Sequence, residues 1–349
     1  MENAKVTVII PTYNREDLVG DAVASIIEQE YVNWECIIID DNSTDRSLEK
    51  IAELVGEDER FIIIQKDKKV AKGAQQSRNL GLQRATGRYV LFLDSDDLLS
   101  PTCLAQRILF MEKRPDVALG IFPGLRFIKE PYDTLTIIST YRGNDPIKAF
   151  LECNTPWTII NGIWRREELL GNNVFFDEKI KGFQDVDFHL QALFNGMTHA
   201  FAESEPDCFW REQQYDNIGK HLVDESFVCS HAYLIKKIIS SVEKLKGGSK
   251  RYRTAVRKFI FFKLRMQLVS REFNSFELLF QKMVATQYLV GLSIVIVRVL
   301  AYLCKISGDN SPLINKFIFM IYKMALLGTL PFCRPNKHFL VHKYSRIIK

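Results

Sequence analysis

The sequence predicts an α/β protein, a doubly wound and mainly parallel sheet, followed by an all-helical C-terminal region. Short apolar runs alternate with helix-period segments through about the first hundred residues, the rhythm of repeated βα units. Two of those runs end in acidic, turn-forming clusters, at 40–45 and 94–97. Past residue 230 the pattern becomes helical and basic. Residues 230–349 hold 22 Lys and Arg against 4 Asp and Glu, a net +18; the preceding residues hold 25 against 38, a net −13, which leaves the whole chain at +5. The expected division is 1–220 for the α/β unit and 221–349 for the helical region.

Residues 6–10 are a short apolar strand closed by Pro11, Thr12, Tyr13 and Asn14. Apolar positions over 17–28 repeat at the helical period. A second strand at 36–39 runs into the first acidic cluster, which includes Asp41, and a helix follows at 47–55. Residues 61–64 form a third strand and 73–85 a third helix, and Thr86-Gly87 turns the chain into a fourth strand. From Tyr89 to Leu93 that strand has no polar alternation, so it is buried on both faces.

Asp94, Asp96 and Asp97 stand directly at its carboxyl end, and Ser100-Pro101 is the expected cap and first turn of the next helix. Sheets of this kind bind ligands at the carboxyl ends of their strands. An Asp-x-Asp turn there suits a hard divalent cation that also binds phosphate oxygens. No Gly-x-Gly-x-x-Gly follows the first strand, so ordinary dinucleotide binding is not expected. An aromatic ring at Tyr13 could instead stack on a base.

Further along, 102–113 reads as helix, 117–122 as strand, 127–140 as an extended hairpin and 146–152 as helix. A loop over 154–159 leads to a strand, and Trp164-Arg165 opens another helix. In Gly182-Phe183-Gln184-Asp185-Val186-Asp187 the helical spacing starts after Asp187, placing Asp185 in a loop or first turn.

Four ordered blocks, VTVIIPTYN (6–14), IIIDDNSTD (37–45), AQQSRNLG (74–81) and GRYVLFLDSDD (87–97), resemble the nucleotide-sugar-binding half of family 2 glycosyltransferases, of GT-A fold. The resemblance implies a nucleoside-diphosphate sugar, a UDP-sugar foremost, lying across these loops. Pro11, Thr12, Tyr13 and Asp41 would surround the base, Arg78 would approach the nucleotide, Asp94 would lie near ribose or sugar, and Asn14 and Ser95 would complete the donor-binding set. Asp96 would bind Mn²⁺ or Mg²⁺. In that family a Glu-Asp pair before a helix presents the catalytic base; here Gln184-Asp185 matches it, with Gln in the Glu position. Asp185 is therefore the expected base of an inverting transfer, with Asp187 as helper or cap and Trp157 as a platform for an acceptor sugar. Residues 208–213 resemble the strand that closes the fold, but Glu212-Gln213-Gln214 replaces a histidine found there in many relatives, so no third metal ligand is assigned. The competing classes are a nucleotidyltransferase or phosphohydrolase and a non-catalytic nucleotide-binding scaffold.

Seven dispersed cysteines without Cys-x-x-Cys spacing suggest free thiols in a reducing compartment. The N-terminus lacks the layout of a signal peptide. Over 244–265, cations interleave with aromatic and aliphatic residues in the manner of a helix at a membrane surface. Residues 283–304 carry one formal charge, Arg298, and are long enough for one crossing; 317–333 contain Lys323 and Pro331 and are short. These features point to peripheral or monotopic association with the cytoplasmic face of a membrane, with anionic lipid as partner and a glycan or lipid-linked glycan as acceptor. Nucleic acid is not expected, because the basic residues are interleaved with long apolar runs.

Overall fold

A computed structural model of the chain describes residues 4–69, 72–139, 141, 143–212, 225–269 and 272–286, with 288, 294, 297, 298 and 301 as single positions. The first part alternates strand and helix as expected: β1 (Val6–Thr12), α1 (Val19–Ile27), β2 (Trp34–Asp40), α2 (Ser47–Val55), β3 (Phe61–Gln65), α3 (Ala74–Arg84) and β4 (Tyr89–Phe92). Then come β5 (Leu98–Leu99), α4 (Cys103–Glu112), β6 (Leu119–Ile121), β7 (Gly124–Phe127), β8 (Thr136–Ile138) and α5 (Pro146–Leu151). They are followed by β9 (Gly162–Arg165), α6 (Arg166–Gly171), α7 (Gln184–Phe194), β10 (His199–Phe201) and β11 (Cys208–Arg211). Three helices complete the described chain: α8 (Glu225–Lys244), α9 (Gly248–Val269) and α10 (Phe273–Val284).

The main sheet has the order β10-β6-β9-β4-β1-β2-β3, and a smaller one the order β5-β11-β7-β8. β1 pairs in parallel with β2 and β4, and β2 with β3, so the carboxyl ends of β1, β2 and β4 lie on one edge. β9 is the exception to the parallel expectation, running antiparallel between β4 and β6. Every residue of β1, β2 and β4 is buried. Alternate side chains serve opposite layers, as the pleat requires. Ile9, Ile37, Ile39, Val90 and Phe92 face one apolar core; Val8, Ile10, Cys36, Ile38 and Leu91 face the other. Helix α3 lies close on the first face because position 81 is glycine: a side chain there would collide with Ile9.

Four local expectations are corrected. Helix α4 begins at Cys103 after Thr102, not at a Ser100 cap, because Leu98–Leu99 is drawn into the small sheet beside β11. The hairpin is shorter and shifted, with Gly124 opposite Ile138, since Asp133 gathers the amides of Ile128, Lys129 and Glu130 into a turn. Trp164 and Arg165 belong to β9, opposite Val90 and Tyr89. Arg165 is buried there and donates to the carbonyls of Val117 and Met111.

The fourth concerns the basic helices. Tyr252, Val256, Phe259, Ile260, Phe261 and Leu264, which read as a membrane-facing stripe, are buried in the core that α8 and α9 share with the sheet and α7. Burying them against protein removes the same apolar surface from water as lipid would. The cations Lys244, Lys246, Lys250, Arg251 and Arg253 stay exposed. Among the described residues no helix is long and apolar enough to cross a membrane. Most of 283–304, all of 317–333 and residues 213–214 lie outside the described residues.

Candidate active site

The loops after β1 and β2 are clipped together at the carboxyl edge of the sheet. Asn14 takes a left-handed backbone, φ 48°. Its amide donates to Ser43 Oγ (3.0 Å), and its Oδ1 accepts from the Thr44 amide (2.8 Å). Pro11 and Thr12 are buried at the end of β1, and the Thr12 carbonyl accepts from the Asp41 amide (2.9 Å). Asp41 is buried, ion-paired with Lys66 at 2.6 Å, and accepts from the Gly73 amide at 2.7 Å. Tyr13 keeps 41% of its surface exposed, with the Lys72 ammonium 4.7 Å above its ring.

Gly73 precedes α3, whose polar residues are turned inward: Gln75, Gln76, Ser77, Arg78 and Asn79 are all buried. This placement explains why α3 shows no apolar stripe in sequence. Asn79 exchanges two 2.9 Å hydrogen bonds with the backbone of Phe176, and Gln75 donates to the Ile180 carbonyl. Those bonds anchor the segment leading to Gly182 (φ 71°) and Phe183 (φ 59°), two consecutive left-handed residues ahead of α7. Gln184 and Asp185 then open α7. Arg78 lies between Asp94, past the end of β4, and Asp185, at the start of α7. Its guanidinium donates to Asp94 and stands 3.8 Å from Asp185.

Three carboxylates crowd the end of β4. Burial and the charge of Asp94 push Asp96 up to about 6, against the opposing pull of Arg15 and Arg211. Asp97 is raised well above the usual carboxylate range by burial and by Asp96. It points into the protein, accepting from the Arg211 amide at 2.9 Å, while Arg211 Nε donates to the Asp96 carbonyl at 2.8 Å. Ser95 is buried between them. Burial and like charge make it costly to hold these hard oxygen donors together without a counter-charge, a cost that a divalent metal at Asp96 and Asp94 would relieve. Among the described residues no trio of His, Cys, Asp or Glu closes around one point.

On the other side of Arg78 lies a cavity of about 390 Å³, lined by Gln184, Asp185, Trp157, Phe183, Phe227 and Met266 among others. Asp185 keeps 35% of its side chain open to it, yet burial pushes its carboxyl up to about 6; Arg78 pulls the other way and Asp94 adds to the rise. Trp157 is 1% exposed and donates to His189 Nδ1 at 3.1 Å, so it forms a wall and not an open platform. His189 is driven down to about 3 by burial and stays neutral. Asp187 does not face the cavity. It pairs with Lys237 at 2.9 Å and accepts from Gln191 at 2.7 Å, tying α7 to α8. Sequence reasoning missed Gln75, Asn79, Lys66 and Arg211. The signal for the first two was a helical segment, 74–79, without an apolar face.

Residues 7–160 match the family model described as glycosyl transferase family 2. The chain carries a family 2 glycosyltransferase domain. Among curated relatives, it is 40% identical over 109 residues to the putative teichuronic acid biosynthesis glycosyltransferase TuaG of Bacillus subtilis, covering 31% of this chain and 42% of that protein. It is 36% identical over 113 residues to WfgD of Escherichia coli, a UDP-Glc:alpha-D-GlcNAc-diphosphoundecaprenol beta-1,3-glucosyltransferase, covering 32% of this chain and 43% of that protein. The chain thus spans under half the length of these two relatives. The glycosyltransferase domain and its helical extension together resemble the crystal structure of S. aureus TarS 1–349 in complex with UDP-GlcNAc. That likeness has a TM-score of 0.63 at 18% identity and covers 93% of this chain and 92% of the other, a similarity of fold.

Proposed function

We propose that the protein transfers a sugar, with inversion, from a nucleoside-diphosphate sugar to a hydroxyl of a glycan or lipid-linked glycan. The observation that carries this reading is Arg78: one buried guanidinium touches Asp94 at the donor loops and stands beside Asp185 at the cavity. The donor lies over Pro11, Thr12, Tyr13, Asn14 and Asp41, with ribose and sugar near Asp94 and Ser95. UDP is the favoured nucleotide because WfgD uses UDP-Glc and TarS binds UDP-GlcNAc.

Asp185 accepts the proton of the acceptor hydroxyl as its oxygen attacks the anomeric carbon from the face opposite the departing diphosphate. One displacement inverts that centre, with no covalent enzyme intermediate. Mn²⁺ or Mg²⁺ held by Asp96, with Asp94 beside it, would supply charge neutralisation for the leaving diphosphate. Arg78 adds a fixed positive charge on the same side. The exposed cations at the α8–α9 turn suit an anionic surface at the cytoplasmic face of a membrane. The direct test is incubation with a panel of UDP-sugars and Mn²⁺. UDP release is the expected result, together with a rise in melting temperature with UDP plus metal that exceeds the rise with UDP alone. Absence of both sinks the donor assignment.

A second test follows from the charge balance at Asp185. With a pKa of about 6, the base is ionised at neutral pH, and transfer declines as the pH falls through about 6. Arg78 favours the ionised form, so Arg78→Met raises that pKa and moves the acid limb of the pH–rate profile upward. An acid limb that stays in place in the variant contradicts the coupling between the two residues.

A further inference from the structure

Behind the cavity, at the contact between α7, α8 and α9, lies a polar cluster that the transfer reaction does not use. His231, Lys263 and Gln267 are each 0% exposed. Both ring nitrogens of His231, the Lys263 ammonium and both amide atoms of Gln267 lack a hydrogen-bond partner. Among the described residues Lys263 has no Asp or Glu within ion-pair distance, and it rests on the rings of Phe183 and Phe259. Gln267 lies one turn beyond Lys263 on α9, and the Phe183 and His231 rings are 5.7 Å apart. Holding a buried amine charged without an anion is costly, and cation–π contact offsets that only in part, so burial drives Lys263 well below the usual lysine range. Together these groups offer an amine that an arriving anion would hold protonated, with N–H donors from His231 and Gln267 beside it, a set that can serve a phosphate group.

The Phe183 ring touches both the cluster and the cavity. Phe183 lines the cavity that Asp185 opens into, as do Phe227, one turn before His231, and Met266, next to Gln267. Phe183 is held in a left-handed conformation uncommon for a bulky residue, φ 59°, following Gly182 at φ 71°. We propose that Lys263, His231 and Gln267 form a subsite for a phosphate group carried by the acceptor, joined to the cavity when the Phe183 ring turns aside. The acceptor class is then a phosphate-bearing glycan or lipid, its hydroxyl at Asp185 and its phosphate against α9. This inference rests on the cavity being the acceptor side.

The test uses the full chain and Lys263→Met, a variant expected to fold at least as well because it replaces a buried, unpartnered amine by an apolar side chain. UDP binding is measured first; then, with UDP saturating so that the donor site is filled, dimethyl phosphate and inorganic phosphate are titrated separately by thermal shift. UDP is expected to bind both proteins alike. Dimethyl phosphate is expected to stabilise the parent and to bind Lys263→Met about tenfold or more weakly, the scale of a lost charge-assisted hydrogen bond. Phe183→Ala is expected to tighten dimethyl phosphate binding. Equal dimethyl phosphate binding by parent and Lys263→Met, or none by the parent while UDP still binds, overturns the subsite. A Lys263-dependent response to inorganic phosphate alone overturns the assignment to the acceptor and marks the site as one for free phosphate. If UDP binds neither protein, the donor reading fails and takes the acceptor assignment with it.

Discussion

Asp185→Asn is expected to leave UDP binding within a few-fold of the parent and to lower sugar transfer by roughly 10²–10⁴-fold, the contribution of a positioned general base. Asparagine keeps the size and the place at the start of α7 but cannot take a proton at neutral pH. The Gly182–Phe183 turn and the bonds of Gln75 and Asn79 to the preceding segment do not involve this carboxylate, so the loop should hold its shape. Donor contacts are assigned to the other side of Arg78, which retains Asp94. The measurement is steady-state transfer beside UDP binding by thermal shift. Transfer at the parent rate removes Asp185 from the mechanism. Loss of UDP binding in step with transfer makes it a donor residue instead.

The largest expected effect on stability lies far from the chemistry, in the ion pair of Arg107 with Asp207. Both side chains are buried, and Arg107 grips the carboxylate twice, Nε to Oδ2 at 2.8 Å and Nη2 to Oδ1 at 2.7 Å. A third bond, from Nη1 to the Ile160 carbonyl at 2.8 Å, ties α4 to the turn before β9. Arg107→Leu strands a buried carboxylate, and removing one partner of such a pair costs about 3–5 kcal/mol. Thermal unfolding is expected to shift down by roughly 10 °C, taking about 2–4 °C per kcal/mol for a domain of this size. The double variant Arg107→Leu/Asp207→Leu is expected to recover most of the loss, because an apolar pair no longer has a charge to desolvate. If the double variant is as unstable as the single one, packing at α4 and not the bare carboxylate explains the effect.

Much of this architecture was legible in local pattern. Helix α2 occupies the expected 47–55, and four of the five residues of the apolar run from Tyr89 lie in a strand buried on both faces, with Leu93 buried just past its end. Asp185 does stand in the first turn of α7. What pattern did not reveal were elements whose environment is set by distant chain. β9 runs antiparallel between β4 and β6, strands more than thirty residues before it in the chain. The apolar side of α9 meets protein where composition suggested lipid, and Asp187, two residues from the proposed base, is spent on Lys237. Helix α3 was expected from its length and boundaries, yet the inward turn of its polar residues shows only once the segment around Phe176 and Ile180 is packed on it.

The sequence by itself determined the order of strands and helices, the acidic turns at strand ends and the family signature, since these depend on side-chain period and turn chemistry within a few residues. Only the tertiary structure decided that Arg78 would stand between Asp94 and Asp185, and that Lys263 would be buried without an anion. Such pairings are set by which faces of distant elements pack together. Their energies depend on burial, which a residue acquires from neighbours far away along the chain.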